Sequence, residues 1–197
     1  MNLDKYQGII FDMDGTLIDS MPTHLSAWQK TAEQFQFPFD EKWLYQLGGQ
    51  PTIKTARMLK KMHPIEATED EMVTAKYGHY EAVENKGDLV SVTHQILQSS
   101  VGKRKLAIGT GSQRKHAESL LTSNGVIELF DTIVTANDVT EHKPEPETFL
   151  TAANNMDIAP SECVVFEDTK LGLQAAHAAG MDCYLIEDNK FTFFPVN

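Results

Sequence analysis

Two aspartates, Asp12 and Asp14, follow a short apolar segment near the start of the sequence. That segment, residues 8–11, contains two isoleucines and is typical of a strand buried on both faces of a parallel sheet. Side chains alternate along a strand, so positions 12 and 14 are expected to point to the same side. Two carboxylates placed this way repel each other unless a cation or a proton neutralises them. The pair therefore indicates metal or acid–base chemistry, and a plain polar exit from a strand is the simpler alternative.

Polar residues also follow three later segments that are predicted as strands, at 105–109, 131–135 and 163–166. Because parallel strands end at the same edge of a sheet, we expect these residues to gather beside the aspartate pair. Clustered carboxylates suit Mg²⁺, which prefers about six oxygen ligands. Hydroxyls, a lysine and backbone N–H groups at the start of a helix suit a phosphate. The residues concerned are Thr110, Gly111, Ser112, Lys143, Glu167 and Asp168.

These groups together match the needs of phosphoryl transfer. An aspartate can act as a nucleophile and carry the phosphoryl group. A second carboxylic acid can protonate the leaving oxygen and then activate water. Simpler interpretations remain for some of them, since Ser112 and Asp168 are also good N-caps for the helices expected after them, and Thr110 and Lys143 are common turn and surface residues.

The elements that must position this site alternate between strand and helix after about residue 86. This rhythm predicts an α/β fold, a Rossmann-like three-layer core with a parallel sheet. Residues 18–85 show only helical patterns, so we expect a core domain of residues 1–17 and 86–197 and an inserted all-helical cap domain of residues 18–85, with hinges at the two connections. The predicted strands are 8–11, 105–109, 131–135, 163–166 and, as the last one, 182–186. The predicted helices cover 21–37, a short segment ending at 47, then 52–62, 68–83 with an acidic start at 68–71, 90–99, 113–123, 147–154 and 171–179.

Composition sets limits on the class of protein. The 197 residues are 41% hydrophobic and carry a net charge of −11, which favours a globular protein and opposes binding to nucleic acid or to anionic membranes. No apolar run approaches the roughly 20 residues of a membrane span, and residues 1–6 lack the features of a signal peptide, so a cytoplasmic location is expected. Cys163 and Cys183 are interpreted as small buried side chains without a disulfide.

Four segments also resemble the motifs of a known family, in the family's order. Residues 11–20, FDMDGTLIDS, resemble the first motif of the haloacid dehalogenase-like superfamily. Residues 108–112, 142–147 and 166–172 resemble the later motifs. The place of the helical insertion is similar to that of the branch that contains β-phosphoglucomutase and small sugar phosphatases such as fructose-1-phosphate phosphatases.

The resemblance implies a role for each motif residue. Asp12 would be the nucleophile and a Mg²⁺ ligand, and Asp14 the general acid and base, with its backbone carbonyl also at the metal. Asp168 would bind the metal directly, and Glu167 directly or through water. Lys143 would orient Asp12 and offset negative charge. Thr110 would bind the transferring phosphoryl group, together with Gly111 and Ser112.

Cap residues decide between two reactions that the resemblance leaves open. His24, Gln50 and Lys76 occupy positions expected near Asp14 or the substrate. A mutase must hold a second phosphate, ideally with arginine. The loop at 48–52 has neither lysine nor arginine where the mutases have both, although Lys54, Arg57 or Lys76 could compensate.

We therefore expect a Mg²⁺-dependent phosphatase that hydrolyses a small phosphorylated metabolite, a sugar phosphate, through an aspartyl-phosphate. A β-phosphoglucomutase-type mutase is the alternative within the family. Two alternatives lie outside the family. One is a phospho-aspartate receiver of signalling systems, which needs neither a cap nor a built-in acid, and the other is a binding module without activity. The expected partner is the phosphorylated metabolite alone, with no nucleic acid and no membrane, and the chain is expected to be a monomer or a weak homo-oligomer.

Overall fold

A computed structural model describes residues 1–196 of the chain. Its centre is a six-stranded sheet in the order β3-β2-β1-β4-β5-β6, parallel except for the last pairing. The predicted α/β fold with a Rossmann-like parallel sheet is confirmed. The strands are β1 (Gly8–Phe11), β2 (Lys105–Gly109), β3 (Thr132–Val134), β4 (Cys163–Glu167), β5 (Asp182–Glu187) and β6 (Lys190–Phe194).

The three central strands end within one residue of one another. Phe11, the last residue of β1, lies beside Ile108 of β2 on one side and Phe166 of β4 on the other. Ile9 and Phe11 pack into one apolar cluster, whereas Ile10 packs into a second cluster with Phe149. Because alternate side chains enter opposite faces, β1 is buried between two layers of helices, and the residues after it emerge at the rim of the sheet.

The expectation that 182–186 is the last strand is wrong, because β6 follows β5. A hairpin continues the sheet, and β6 pairs antiparallel with β5. Its two-residue loop, Asp188 and Asn189, has positive φ at both positions (49° and 59°), the geometry of a type I′ turn. Asp and Asn tolerate this conformation better than most residues, so the turn had a local signal in the sequence that the strand–helix rhythm did not capture.

Eight α-helices complete the fold of residues 1–196. The first four form a block inserted between β1 and the rest of the core, and they bury an apolar cluster of their own that includes Trp28, Leu59 and Met72. The other four pack around the sheet. The helices are α1 (Met21–Phe35), α2 (Glu41–Gln46), α3 (Thr52–Met62), α4 (Glu69–Glu81), α5 (Ser91–Ser100), α6 (Arg114–Ser123), α7 (Glu147–Asn155) and α8 (Lys170–Ala178).

The two connections between the block and the core lie side by side. The backbone N–H of Asp19 donates to the carbonyl of Asp88 at 2.9 Å, and that of Val90 donates to the carbonyl of Leu17 at 2.9 Å. The division into a core of residues 1–17 and 86–197 and a cap of residues 18–85 stays a prediction.

Two composition-based expectations can be compared with this structure. Within residues 1–196, no helix combines the length and apolarity needed to cross a bilayer. Cys163 and Cys183 are buried free thiols.

Candidate active site

Asp12, Lys143 and Glu167 form a buried cluster at the ends of the central strands. The Lys143 ammonium donates to Asp12 Oδ1 at 2.6 Å and to Glu167 Oε1 at 2.7 Å. Asp12 follows β1, Glu167 ends β4, and Lys143 reaches in from the loop between β3 and α7. All three side chains are almost fully buried, so these charges interact with little screening by water. The parallel topology thus brings together residues that are up to 155 positions apart in the sequence.

Glu167 is held on its other oxygen by the start of α8. Its Oε2 accepts from the Asp168 N–H at 2.9 Å, the Thr169 N–H at 2.8 Å and the Thr169 hydroxyl at 2.9 Å. A Cβ at Gly172 would lie 1.8 Å from the Glu167 carboxyl carbon, so this helix turn can cover the carboxylate only with glycine at that position. Thr169 is the N-cap of α8, and the alternative that Asp168 caps this helix is therefore wrong.

Asp168 completes a set of oxygen ligands. Its Oδ1 accepts from the Thr16 hydroxyl at 3.0 Å, and its Oδ2 accepts from the Tyr45 hydroxyl at 3.2 Å. One oxygen from each of Asp12, Glu167 and Asp168 lies within 4.8 Å of the others. Three carboxylates facing one ammonium leave an excess of negative charge. The donor set therefore fits a hard divalent cation such as Mg²⁺.

The buried environment of the cluster raises the pKa values of Asp12 and Asp168. Burial is the largest cause for Asp12, and the nearby carboxylates of Glu167 and Asp168 add to it, so its pKa lies well above the usual range despite Lys143. Burial and the charge of Glu167 raise the pKa of Asp168 to about 7. A bound cation would act in the opposite direction and favour both ionised forms. The arrangement is costly without a cation.

Asp14 lies in a separate network of hydrogen-bond donors. Its Oδ1 accepts from the Ser20 hydroxyl at 2.6 Å and contacts His24 Nε2 at 3.2 Å, and its Oδ2 accepts from the Ser112 hydroxyl at 2.7 Å. Burial opposes ionisation of Asp14, but His24 and the hydrogen bonds from Ser20 and Ser112 outweigh it and hold its pKa well below the usual range. Asp14 is therefore ionised in this structure, whereas burial disfavours the ionised form of Asp12.

The segment after β2 contributes Thr110, Gly111 and Ser112. The Thr110 hydroxyl lies 3.5 Å from Asp14 Oδ2 and accepts from the Ser112 N–H at 3.0 Å. Helix α6 starts at Arg114 with Gln113 as its N-cap, so the alternative that Ser112 caps this helix is wrong. The structure instead turns the Ser112 hydroxyl toward Asp14.

Two predicted cap residues extend the Asp14 network into the helical block. Lys76 is 1% exposed, and its Nζ lies 2.8 Å from His24 Nδ1. As an ammonium, Lys76 can only donate, so the proton of a neutral His24 lies on Nε2 and is donated to Asp14. His24 also stacks on Tyr80, with ring centroids 4.4 Å apart. Burial lowers the pKa of Lys76 to about 7, and burial followed by the charge of Lys76 lowers that of His24.

A cavity of about 50 Å³ lies between the helical block and the ends of the strands. Asp14, His24, Gln50 and Lys76 all line it. Lys54 and Arg57, both within the described residues, are not among the lining residues, and the Arg57 guanidinium instead pairs with Glu69 at 3.1 Å. Thr52, Thr55, Tyr77, Gly111 and Ser112 supply further polar lining, and Met21, Leu25, Trp28, Leu44 and Leu47 most of the apolar lining.

Several residues of the site were not singled out from the sequence. Thr16 and Ser20 lie inside the first motif, but only the fold shows that their hydroxyls donate to Asp168 and Asp14. Thr169 had a signal as an N-cap three residues before Gly172. Tyr45 had none, because its hydrogen bond spans 123 positions in the sequence.

Comparison with known proteins places this geometry in a family. A model of the haloacid dehalogenase-like hydrolase family matches residues 9–186. Fructose-1-phosphate phosphatase YqaB of Escherichia coli is 39% identical over 183 residues, covering 91% of this chain and 95% of that protein. The β-phosphoglucomutase of Bacillus subtilis is 28% identical, covering 89% of this chain and 80% of that protein. Among solved structures, a putative β-phosphoglucomutase from Bacteroides vulgatus superposes with a TM-score of 0.79 at 29% identity, covering 90% of this chain and 74% of that one. The predicted resemblance is confirmed, and the chain belongs to the haloacid dehalogenase-like hydrolase family.

Proposed function

We propose that this protein is a Mg²⁺-dependent phosphatase that hydrolyses a small sugar phosphate through an aspartyl-phosphate on Asp12. The phosphoric monoester hydrolase class follows from the family and from relatives such as fructose-1-phosphate phosphatase and a phosphorylated carbohydrates phosphatase of Thermotoga maritima. The metal, the covalent intermediate and the substrate are proposals.

The observation that carries the proposal is that two buried carboxylates, Asp12 and Asp14, lie in different surroundings. Asp12 contacts a lysine and lies in a set of carboxylates that could hold a metal, whereas Asp14 contacts the Ser20 and Ser112 hydroxyls and His24. Two carboxyl groups in such different environments can take different roles, one as nucleophile and the other as acid and base. Neither a receiver of signalling systems nor an inactive binding module needs this second carboxylate.

In the first step, we propose that Asp12 attacks the phosphorus of the substrate. Lys143 fixes the orientation of the attacking carboxylate through its 2.6 Å hydrogen bond to Oδ1. Bound Mg²⁺ would supply a Lewis acid that offsets the charge of the phosphate oxygens, with Asp12, Asp168 and the Asp14 carbonyl as its ligands. Glu167, with one oxygen on Lys143 and the other fully engaged by α8, would act through water or by positioning.

Asp14 would transfer protons in both steps. A substrate phosphate beside it adds negative charge, which raises the pKa of Asp14 and favours the protonated form that the leaving oxygen needs. After the leaving group departs, the ionised Asp14 can take a proton from the water that attacks the aspartyl-phosphate. Ser20, His24 and Ser112 hold the carboxylate in place for this exchange.

The cavity lining favours hydrolysis over the mutase reaction. Of the basic residues weighed from the sequence as holders of a second phosphate, only Lys76 lines the cavity, and it contacts His24. Thr52, at the loop where the mutase pattern has arginine, instead donates to the Tyr77 hydroxyl at 3.1 Å. We therefore propose a substrate with one phosphate and a hydroxyl-rich remainder, in line with the printed names of the phosphatase relatives.

The helical block, residues 18–85, is proposed to open and close over the site as a cap. The cavity of about 50 Å³ is far smaller than the roughly 300 Å³ of small ligand pockets, so a sugar phosphate cannot enter without movement of the block. The paired connections at Asp19–Asp88 and Leu17–Val90 are the proposed hinge.

Phosphate release from a panel of sugar monophosphates and bisphosphates tests the proposal. We expect release that requires Mg²⁺, is lost with EDTA, and is abolished in Asp12→Asn. Isomerised sugar phosphate without free phosphate would instead support the mutase. No turnover of any substrate with Mg²⁺ would contradict both reactions.

A further inference from the structure

We propose that Tyr45 is a positioning residue for the metal site, which holds the Asp168 carboxylate in its ligating orientation from the helical block. The inference rests on the proposed metal site and assigns a role to a residue that belongs to none of the family motifs. The Tyr45 hydroxyl donates to Asp168 Oδ2 at 3.2 Å.

Asp168 is supported on both carboxylate oxygens by neutral hydroxyls. Thr16 binds Oδ1 from the turn after β1, and Tyr45 binds Oδ2 from α2. Lys143, the ammonium of the cluster, binds Asp12 and Glu167 instead. The orientation of Asp168 therefore depends on these two hydroxyls, whereas Lys143 helps to orient the other two carboxylates.

The chemistry of Tyr45 suits a permanent donor. A phenol has an ordinary pKa of about 10 and keeps its proton at neutral pH, so the hydroxyl can donate to the carboxylate. Hydrogen bonds to metal-ligating groups orient the ligand, and their loss typically weakens metal binding by about 10–100-fold. Because the Tyr45 side chain is part of a residue that is 40% exposed, we expect the low end of that range.

The hydrogen bond between Tyr45 and Asp168 also links the helical block to the proposed metal site. Tyr45 belongs to the helical block, whereas Asp168 and Thr16 belong to the strand ends. Gly15, Tyr45 and Asp168 line one groove of about 1220 Å³ that opens to solvent. If the block moves, the Tyr45 hydroxyl leaves Asp168, so the affinity for metal and the closure of the block should favour each other.

Direct titration of the protein with Mg²⁺ in the absence of substrate tests the inference, with heat of binding as the readout. Tyr45→Phe removes the hydroxyl and leaves the ring, and we expect about ten-fold weaker Mg²⁺ binding with an unchanged stoichiometry. Tyr6→Phe is the matched control. Its hydroxyl also donates to a carboxylate, Asp182, at 2.6 Å, but at the opposite edge of the sheet, so Mg²⁺ binding should not change.

The outcomes separate this inference from the proposed function. If Tyr45→Phe binds Mg²⁺ as tightly as the unmodified protein, the hydroxyl does not position the ligand, and the inference is wrong. If it binds more tightly, the hydroxyl competes with the metal, which also contradicts the inference. Failure of the unmodified protein to bind Mg²⁺ would contradict the metal site itself. A thermal unfolding midpoint for Tyr45→Phe near that of the unmodified protein would show that weaker binding does not come from a damaged fold.

Discussion

Lys76 is a buried ammonium whose nearest polar partner is an imidazole, not a carboxylate. Its Nζ lies 2.8 Å from His24 Nδ1 and 4.4 Å and 5.0 Å from the ring centroids of Tyr77 and Tyr80. Cation–π contacts offset only part of the cost of removing an ammonium from water. We interpret this cost as stability that is given up for function at the proposed substrate cavity.

Lys76→Met should therefore stabilise the protein while lowering its activity. Burial lowers the folded-state pKa of Lys76 from 10.5 to about 7, so below pH 7 the folded state bears the full cost of the charge. As pH rises from 7 to 10.5, the folded state holds a neutral amine, and the unmodified protein regains stability. We expect Lys76→Met to unfold at a higher temperature at pH 6.5, with a difference that shrinks by pH 9.

Calorimetry of both proteins across this pH range checks the prediction, and Lys143→Met serves as the comparison. Lys143 is equally buried but pairs with two carboxylates, so its loss should destabilise the protein by about 3–5 kcal/mol. A Lys76→Met variant less stable at every pH would show that the ammonium is a net source of stability.

Residue types and spacing predicted that the charged residues of the cluster would lie together, but not which hydroxyls would hydrogen-bond to them. Asp12, Lys143 and Glu167 follow or approach strand ends, and the parallel topology obliges such residues to meet. The expectation that Asp12 and Asp14 share one side was less informative, because β1 ends at Phe11 and the two aspartates take separate partners. Tyr45 could not be predicted, since no local pattern specifies a contact between α2 and the end of β4.

At the scale of the elements, the backbones of two loops, one from the core and one from the helical block, are in close contact. The segment after β2 approaches the loop between α2 and α3 so closely that a Cβ at Gly111 would lie 2.0 Å from the carbonyl oxygen of Gly49. Such a contact leaves no room for any side chain. It also places the predicted phosphate-binding segment directly against the helical block.

Gly111→Ala should hold these two loops apart. We expect kcat/KM for the sugar phosphate to fall by about ten-fold or more, because small displacements of catalytic groups are costly. Gly78→Ala is the matched control, since a Cβ there meets no atom within 4 Å and alanine favours the helix α4 by about 0.5–1 kcal/mol. Steady-state kinetics of both variants check this. Unchanged kinetics in Gly111→Ala would mean that this loop contact is not needed for turnover.

The observed start of α4 agrees with the predicted start, because the capping box of Thr68 and Glu71 marks it in the sequence. The end of α1 differs from the prediction, since the left-handed Gln36 ends the helix two residues early. β6 was missed because it follows a two-residue turn instead of a helix, and the alternating rhythm that revealed the other strands does not apply to a hairpin.

Across the whole molecule, the fold concentrates negative charge at the proposed active site. The chain carries a net charge of −11, and three of its carboxylates meet one ammonium at the rim of the sheet. The core positions these groups, and the helical block supplies His24, Tyr45 and Lys76 around them. The fold class was predictable because it follows from periodicity, whereas the fit of block to core depends on side-chain packing that periodicity does not encode.

Transient phosphorylation of Asp12 is the central claim, and a burst experiment with Asp14→Asn tests it most directly. p-Nitrophenyl phosphate has a leaving group that needs no proton, so the first step should survive this change while breakdown of the aspartyl-phosphate slows. Rapid mixing with Mg²⁺ should release one nitrophenol per protein molecule before a slow steady state, and mass spectrometry of the quenched protein should find one phosphoryl group, on Asp12. A variant that turns over with neither a burst nor a phosphorylated Asp12 would contradict the account.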